Sequence, residues 1–217
     1  MPESNKMKYI IIFLTILAGC SSPQKKDALP FYNTPDFTPV WLTANDAGYN
    51  DIHTITPFSF TNQLGETITN EKVKDRIYVA NFFFASCGSI CPRMMDNLDD
   101  VQQAFKNDDH IRILSHSVTP GRDSVPVLFK YAATHHINNH KWWLLTGNKD
   151  AIYALARKAY FADDETGYSK TANEFLHTEN VLLIDKHGRI RGVYNGTIKL
   201  EMVNLIKHIK LLEASGG

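Results

Sequence analysis

Cys87 and Cys91 are separated by Gly-Ser-Ile and followed by Pro92. They come directly after Ile77-Tyr-Val-Ala-Asn-Phe-Phe-Phe84, an apolar and aromatic run of the kind that forms a strand buried on both faces. From Pro92 to Phe105, Met94, Met95, Leu98, Val101 and Phe105 recur three and four apart, the spacing of an amphipathic helix. Two cysteines four apart at such a strand-to-helix junction lie on one side of the first turn. Helix N-terminal N–H groups and the dipole favour thiolates there, so both sulfurs are expected to have lowered pKa values. Gly88 lets the loop fold tightly, and Pro92 is accepted in the first helical turn. Such a pair can close into a disulfide or grip a soft metal as two thiolates. A structural disulfide or a pair of inert core cysteines is the plainer alternative.

The elements around this pair alternate. The strand and helix just described are followed by a strand over Ile111 to Val118 and a helix through Val127, Leu128, Tyr131 and Ala132, which Asp123 can cap. A strand over Trp142 to Thr146 comes next, then a helix through Ile152, Leu155, Ala156 and Ala159 capped by Asn148. Asn180–Asp185 and Arg189–Tyr194 flank Lys186-His187-Gly188 as a hairpin, and Leu200 to Leu212 forms a last amphipathic helix. Ile52 to Thr61, with Asn62-Gln63-Leu64-Gly65, reads as a strand and turn at the edge of the domain. Strand–helix alternation ending in a hairpin predicts an α/β fold of thioredoxin-like type. It has a central mixed sheet with helices on both faces, an N-terminal β extension, and a C-terminal β-hairpin plus helix.

Within that frame the spacing of the cysteines separates two chemistries. General thiol–disulfide oxidoreductases of this fold keep two residues between their cysteines, whereas the three here leave room for a metal bridging both sulfurs. Of the nine histidines, His177 is the candidate third ligand, because Glu174-Phe-Leu-His177 immediately precedes the strand Val181 to Ile184. In a thioredoxin-like sheet the loop entering that strand faces the cysteine loop. Thioredoxins place a cis-proline there, and this chain has no proline after Ala162. Two thiolates and an imidazole suit Cu(I), or Cu(II) with an added oxygen ligand, better than structural zinc, which wants a fourth protein ligand. The other histidines read as surface or core residues. His116 lies inside a strand as a hydrogen-bonded core residue, and a second metal site at His135, His136 and His140 is disfavoured by Asn138-Asn139.

Four stretches together resemble the Sco/SenC family, membrane-anchored copper proteins of respiratory oxidase assembly: Cys87-Gly-Ser-Ile-Cys91-Pro92, Val118-Thr-Pro-Gly-Arg-Asp123, Trp142-Trp-Leu-Leu-Thr-Gly147, and His177 with Leu183-Ile-Asp-Lys-His-Gly188. The resemblance covers residues 52–212. It implies Cys87, Cys91 and His177 as copper ligands, with delivery to the binuclear copper subunit of a haem–copper oxidase. The chain departs from the family pattern at Gly88, where proline is common, and at Thr119-Pro120, where Asp-Pro is common. Neither departure removes a ligand. A thiol–disulfide oxidoreductase working through Cys87 and Cys91, with a thiol–disulfide reductase as a further partner, is the second reading. A peroxidase-like activity or a copper sensor is a third.

Residues 1–19 read as an export signal. Met7-Lys8 precedes ten residues, Tyr9 to Ala18, of which nine are apolar. Leu17-Ala18-Gly19-Cys20 matches the bacterial lipobox, which predicts lipidation of Cys20 and a domain held at a membrane of the cell envelope, facing the periplasm. Residues 20–50 are expected to be a lipid-anchored tether and residues 51–217 the folded domain. Composition adds two exclusions. With 43% hydrophobic and 21% charged residues the chain is not disordered wholesale. With 23 basic and 23 acidic residues it has no field to recruit nucleic acid.

Overall fold

A computed structural model describes residues 28–162 and 178–216. Seven consecutive buried residues make Ile77–Phe83 (here β5) the centre of the sheet. Ile111–Ser117 (β6) pairs with it in parallel, and Trp142–Leu145 (β7) pairs in parallel with β6. On the other side Asn180–Ile184 (β8) runs antiparallel to β5, and Ile190–Asn195 (β9) antiparallel to β8. The order is therefore β7-β6-β5-β8-β9, a mixed sheet. The period of two divides its two cores. Ile77, Val79 and Phe83 face one side, against Ile90–Ala104 (α2), Val125–Thr134 (α3) and Lys199–Ser215 (α5). Tyr78, Ala80 and Phe82 face the other, against Lys149–Lys158 (α4). The expected α/β architecture with helices on both faces is present.

Several local expectations are met by the chemistry that motivated them. Asn148 Oδ1 accepts from the Ala151 N–H at 2.9 Å and caps α4. Gly188 supplies φ 78° in the hairpin turn. Asp185 Oδ1 accepts from the His187 and Arg189 N–H groups in that turn, both at 3.0 Å. Its Oδ2 binds Arg189 Nε at 2.8 Å and Arg191 Nη1 at 3.3 Å, so a fully buried carboxylate holds two arginines.

Three expectations change. The edge strand expected from Ile52 shortens to Ser59–Thr61 (β3), paired with Thr67–Thr69 (β4). Ahead of it Ile55 and Phe58 are buried against the sheet without a strand partner, and Ile55 N–H instead bonds Gly188 O at 2.8 Å. A one-turn helix, Asn70–Val73 (α1), links β4 to β5. Asp123 does not cap α3; Ser124 occupies the N-cap position, and the Asp123 carboxylate turns inward. The tether expected over 20–50 is, from Ala28 onward, packed structure. Phe31–Tyr32 (β1) pairs with Pro39–Val40 (β2), Leu29 and Phe31 are buried, and Arg191 lies 4.0 Å over the Phe31 ring. Arg191 also donates to Pro30 O at 2.9 Å and Leu29 O at 2.6 Å, which fastens this segment to β9. Short sequence runs such as Leu29-Pro-Phe carry too little periodicity to reveal a partner 160 residues away.

Among the described residues, no helix is long and apolar enough to cross a membrane.

Candidate metal centre

The chain leaves β5 through Phe84 and turns back at Cys87, whose N–H bonds Phe84 O at 3.2 Å. Ile90 opens α2, so Cys91 sits in its first turn, buried, with Cys87 half-buried beside it. The helix starts two residues earlier than its apolar spacing suggests; the first four helical N–H groups have no intrahelical acceptor, so Pro92 removes no bond there.

The two thiols differ. Burial alone would raise Cys87, but a hydrogen bond from the Cys91 thiol and the N–H groups of Ser89, Cys91 and Ile90 outweigh it, and the Cys87 pKa is lowered. Cys91 is pushed up to about 12, first by burial and then by the Cys87 sulfur, which favours the protonated donor. The expectation that both sulfurs would be acidified therefore fails for Cys91. Helix N-terminal donors converge on the outer sulfur, while the inner one belongs to the apolar core with Met94, Met95 and Phe83. Cys87 is thus the more acidic and more readily ionised thiol, and Cys91 the one held protonated by its burial. Brief iodoacetamide treatment of the reduced protein at neutral pH is expected to modify Cys87 at least tenfold faster than Cys91. Site-resolved mass spectrometry showing equal rates would refute the asymmetry.

Asp123, buried at 1% exposure, braces the loop from below. Its Oδ2 accepts from Ala85 N–H at 3.1 Å, Ser117 Oγ at 2.6 Å and Thr119 Oγ1 at 2.9 Å. One carboxylate oxygen thus ties the exit of β5, two residues before Cys87, to the exit of β6. The helix-cap role expected of Asp123 is thus replaced by this brace, for which the sequence signal is a hydroxyl on Thr119 within the same motif and another on Ser117 just ahead of it. Beside this brace lies a cleft of about 620 Å³, lined by Ala85, Ser86, Arg122, Asp123, Lys130 and Tyr131, among others. Tyr131 stacks on His135 at 4.1 Å and tilts against Phe83 at 5.5 Å. Its hydroxyl pKa is raised by burial first and then by the charges of Cys91 and Cys87, so it lies within electrostatic reach of the pair.

Cys87 and Cys91 are brought together as expected, whereas Cys20 and His177 lie outside the described residues. Thr178 and Glu179, which follow His177, lead into β8 with Asn81 paired to Val181, at the same sheet end from which the cysteine loop emerges. Among the described residues no three His, Cys, Asp or Glu side chains gather as a metal site, so His135, His136 and His140 do not form one. His208 Nδ1 shares a hydrogen bond with Tyr194 OH at 2.7 Å, and His53 Nε2 with Ala159 O at 2.8 Å. His116 is fully buried, but neither ring nitrogen has a hydrogen-bond partner, contrary to expectation.

A mixed five-stranded sheet with a reactive thiol pair at the N-terminus of the helix after its central strand defines a thioredoxin-like thiol protein. Within that class the SCO1/SenC family model matches residues 47–210, and the chain belongs to this family. A SCO1/SenC family lipoprotein from Bacillus anthracis shares the fold with a TM-score of 0.65 and 25% identity, over 74% of this chain and 95% of that one. BsSco, described as having a disulfide switch and as a member of the Sco family of cytochrome c oxidase assembly proteins, gives 0.63 and 28%, over 75% and 95%. Yeast Sco1 with copper bound has the same fold, with a TM-score of 0.56 and 22% identity over 73% and 89%.

Proposed function

We propose that this chain is a copper carrier of respiratory oxidase assembly, holding one copper as cargo on Cys87, Cys91 and His177. The observation that carries the reading is the sulfur pair at the α2 N-terminus, at the sheet end where the segment following His177 enters β8. Two thiolates prefer a soft cation, and a half-buried outer sulfur leaves the cargo open to ligand exchange with a recipient. The recipient is the copper-centre subunit of a haem–copper oxidase, as membership of the family suggests. Lipidation at Cys20 would hold the domain on the periplasmic side of a membrane, at high local concentration of that recipient.

The split between the two thiols favours a second reading on the same atoms. Cys87 thiolate attacks a partner disulfide, forming a mixed disulfide and expelling one partner thiolate. Cys91 then attacks Cys87, losing its proton and releasing the second partner thiolate. The chain ends oxidised as a Cys87–Cys91 disulfide and the partner reduced by the same two electrons.

An anaerobic Cu(I) competition titration separates these readings. One copper per reduced chain is expected, with affinity falling about 100-fold in His177→Ala and at least as far in Cys87→Ser or Cys91→Ser, since each removes a direct ligand. Binding that ignores His177 while disulfide exchange persists would assign the site to thiol exchange instead.

A further inference from the structure

Helix α5 buries Met202, Leu205, Ile209 and Leu212 and turns a quite different face outward. Along that outer face run Leu200, Val203, Lys207 and Lys210, spaced by three and four, with half-buried Leu211 at its border. Leu200 is 66% exposed and Val203 56%, and Ile198, just ahead of the helix, is 48% exposed. Three neighbouring aliphatic side chains this open form a patch rather than scattered surface residues. Among the described residues no carboxylate interrupts the stripe. Glu201 points toward the groove beside Leu29 and Tyr32, Glu213 lies on the other flank near Asp108, and Asp100 is paired with Lys199 at 3.2 Å.

Two features of the surroundings say what this face meets. Asn195 pairs with Asn180 at the sheet end that carries the cysteine loop, so Ile198 and Leu200 stand at that same end. The chain also enters the domain on this side. Leu29 is held by Arg191 of β9 and lies beside Glu201, Asn204 and His208 of α5. Only residues 21–27 separate Cys20 from Ala28, a span of at most about 28 Å. A lipid on Cys20 would therefore keep the α5 edge of the domain within one domain's width of the bilayer.

We propose that the outer face of α5 is a seat on an anionic bilayer, an inference that rests on the lipid anchor proposed at Cys20. Ile198, Leu200 and Val203 enter the headgroup region, while Lys207 and Lys210 extend their stems along it and set their ammonium groups among lipid phosphates. Seating this edge fixes the orientation of the tethered domain and holds the cysteine loop close to the membrane surface, where a membrane-embedded recipient presents its own site.

The test uses the chain from Ser21 onward, which retains every buried residue from Leu29 to Leu212 but carries no lipid. It is expected to co-sediment with phosphatidylglycerol vesicles at low salt and not with phosphatidylcholine vesicles. Lys207→Gln with Lys210→Gln is expected to weaken partitioning about 30-fold, from about fivefold per lysine near an anionic surface. Leu200→Ser with Val203→Ser is expected to weaken it at least tenfold, and Lys72→Gln on α1 with Lys74→Gln just after it, across the sheet, to leave it unchanged. All these side chains are exposed, so circular dichroism should not change. Failure to bind phosphatidylglycerol, equal binding to both lipids, or indifference to both α5 pairs would overturn the seat. So would a dimer abolished by Leu200→Ser with Val203→Ser, which would give the face to a second copy. The anchor is tested separately: acyl chains found on Cys20 by mass spectrometry of the membrane-extracted protein keep the anchor whatever the vesicles show, and an unmodified Cys20 removes it.

Discussion

As pH falls from 6.5 to about 3 the protein is expected to lose about 5 kcal/mol of stability through His116 alone, and His116→Phe is expected to abolish that loss. His116 is fully buried in β6, stacked on Phe82 at 5.3 Å and ringed by Phe58, Phe60 and Tyr160. Among the described residues no acid faces it, and neither nitrogen is hydrogen-bonded, so burial drives its pKa from 6.5 down to about 3. Between those values the unfolded chain holds one more proton than the folded one. Stability is thus fully present above pH 6.5 and declines at up to about 1.4 kcal/mol per unit as the pH drops toward 3. Against a typical domain stability of about 5–15 kcal/mol, that is enough to unfold the protein in acid. Urea unfolding of parent and variant at pH 7, 5 and 4 checks it, because the carboxylates contribute equally to both and cancel in the difference. Parallel pH dependences would mean that His116 is hydrated or partnered in solution. Phe is close to imidazole in shape and joins an aromatic cluster, so at pH 7 the variant should be as stable as the parent or better.

How legible these features were in the sequence depended on the range of the forces involved. β5 could be read because a strand buried on both faces must be apolar at every position, and Ile77 to Phe83 is apolar everywhere except Asn81. The Asn81 exception is itself explained by contact: Ser115 Oγ donates to its Oδ1 at 2.5 Å, and Trp142 Nε1 donates to that Ser115 Oγ at 2.7 Å. The cysteine pair and the Asn148 cap were readable because helix-terminal chemistry is decided within four residues. Tertiary placement decided what was missed. Nothing local distinguishes a cysteine bathed in helix N–H groups from one four residues on that is sunk into the core, yet Cys87 and Cys91 shift in opposite directions. His116 offered the same difficulty, since an alternating strand says which face a residue takes but not whether that face holds a partner. The packing of Leu29 and Phe31 depends on arginines at 189 and 191, and such long-range polar contacts leave no periodicity behind.

Asp123→Ala is expected to cost about 3–5 kcal/mol and, in the still-folded protein, to speed alkylation of Cys91. Removing the carboxylate strands a backbone N–H and two hydroxyls in a buried place; each lost bond to a charged acceptor is worth about 1.5–3 kcal/mol, offset in part by no longer burying the charge. Ser117→Ala separates the two consequences. It deletes one hydroxyl donor and should cost about 1 kcal/mol, but leaves the Ala85 clamp and hence the Cys91 rate unchanged. Asp123→Asn keeps an acceptor oxygen for Ala85 N–H and should recover most of the parent's Cys91 protection with only part of its stability. Denaturant midpoints paired with site-resolved alkylation at 25 °C supply both readouts. If Asp123→Ala and Ser117→Ala exposed Cys91 in simple proportion to their stability losses, the carboxylate would be a generic core group. A Cys91 rate that follows the Ala85 contact, whatever the stability, would make Asp123 the residue that fixes the distance between the two sulfurs and so their capacity to share one copper.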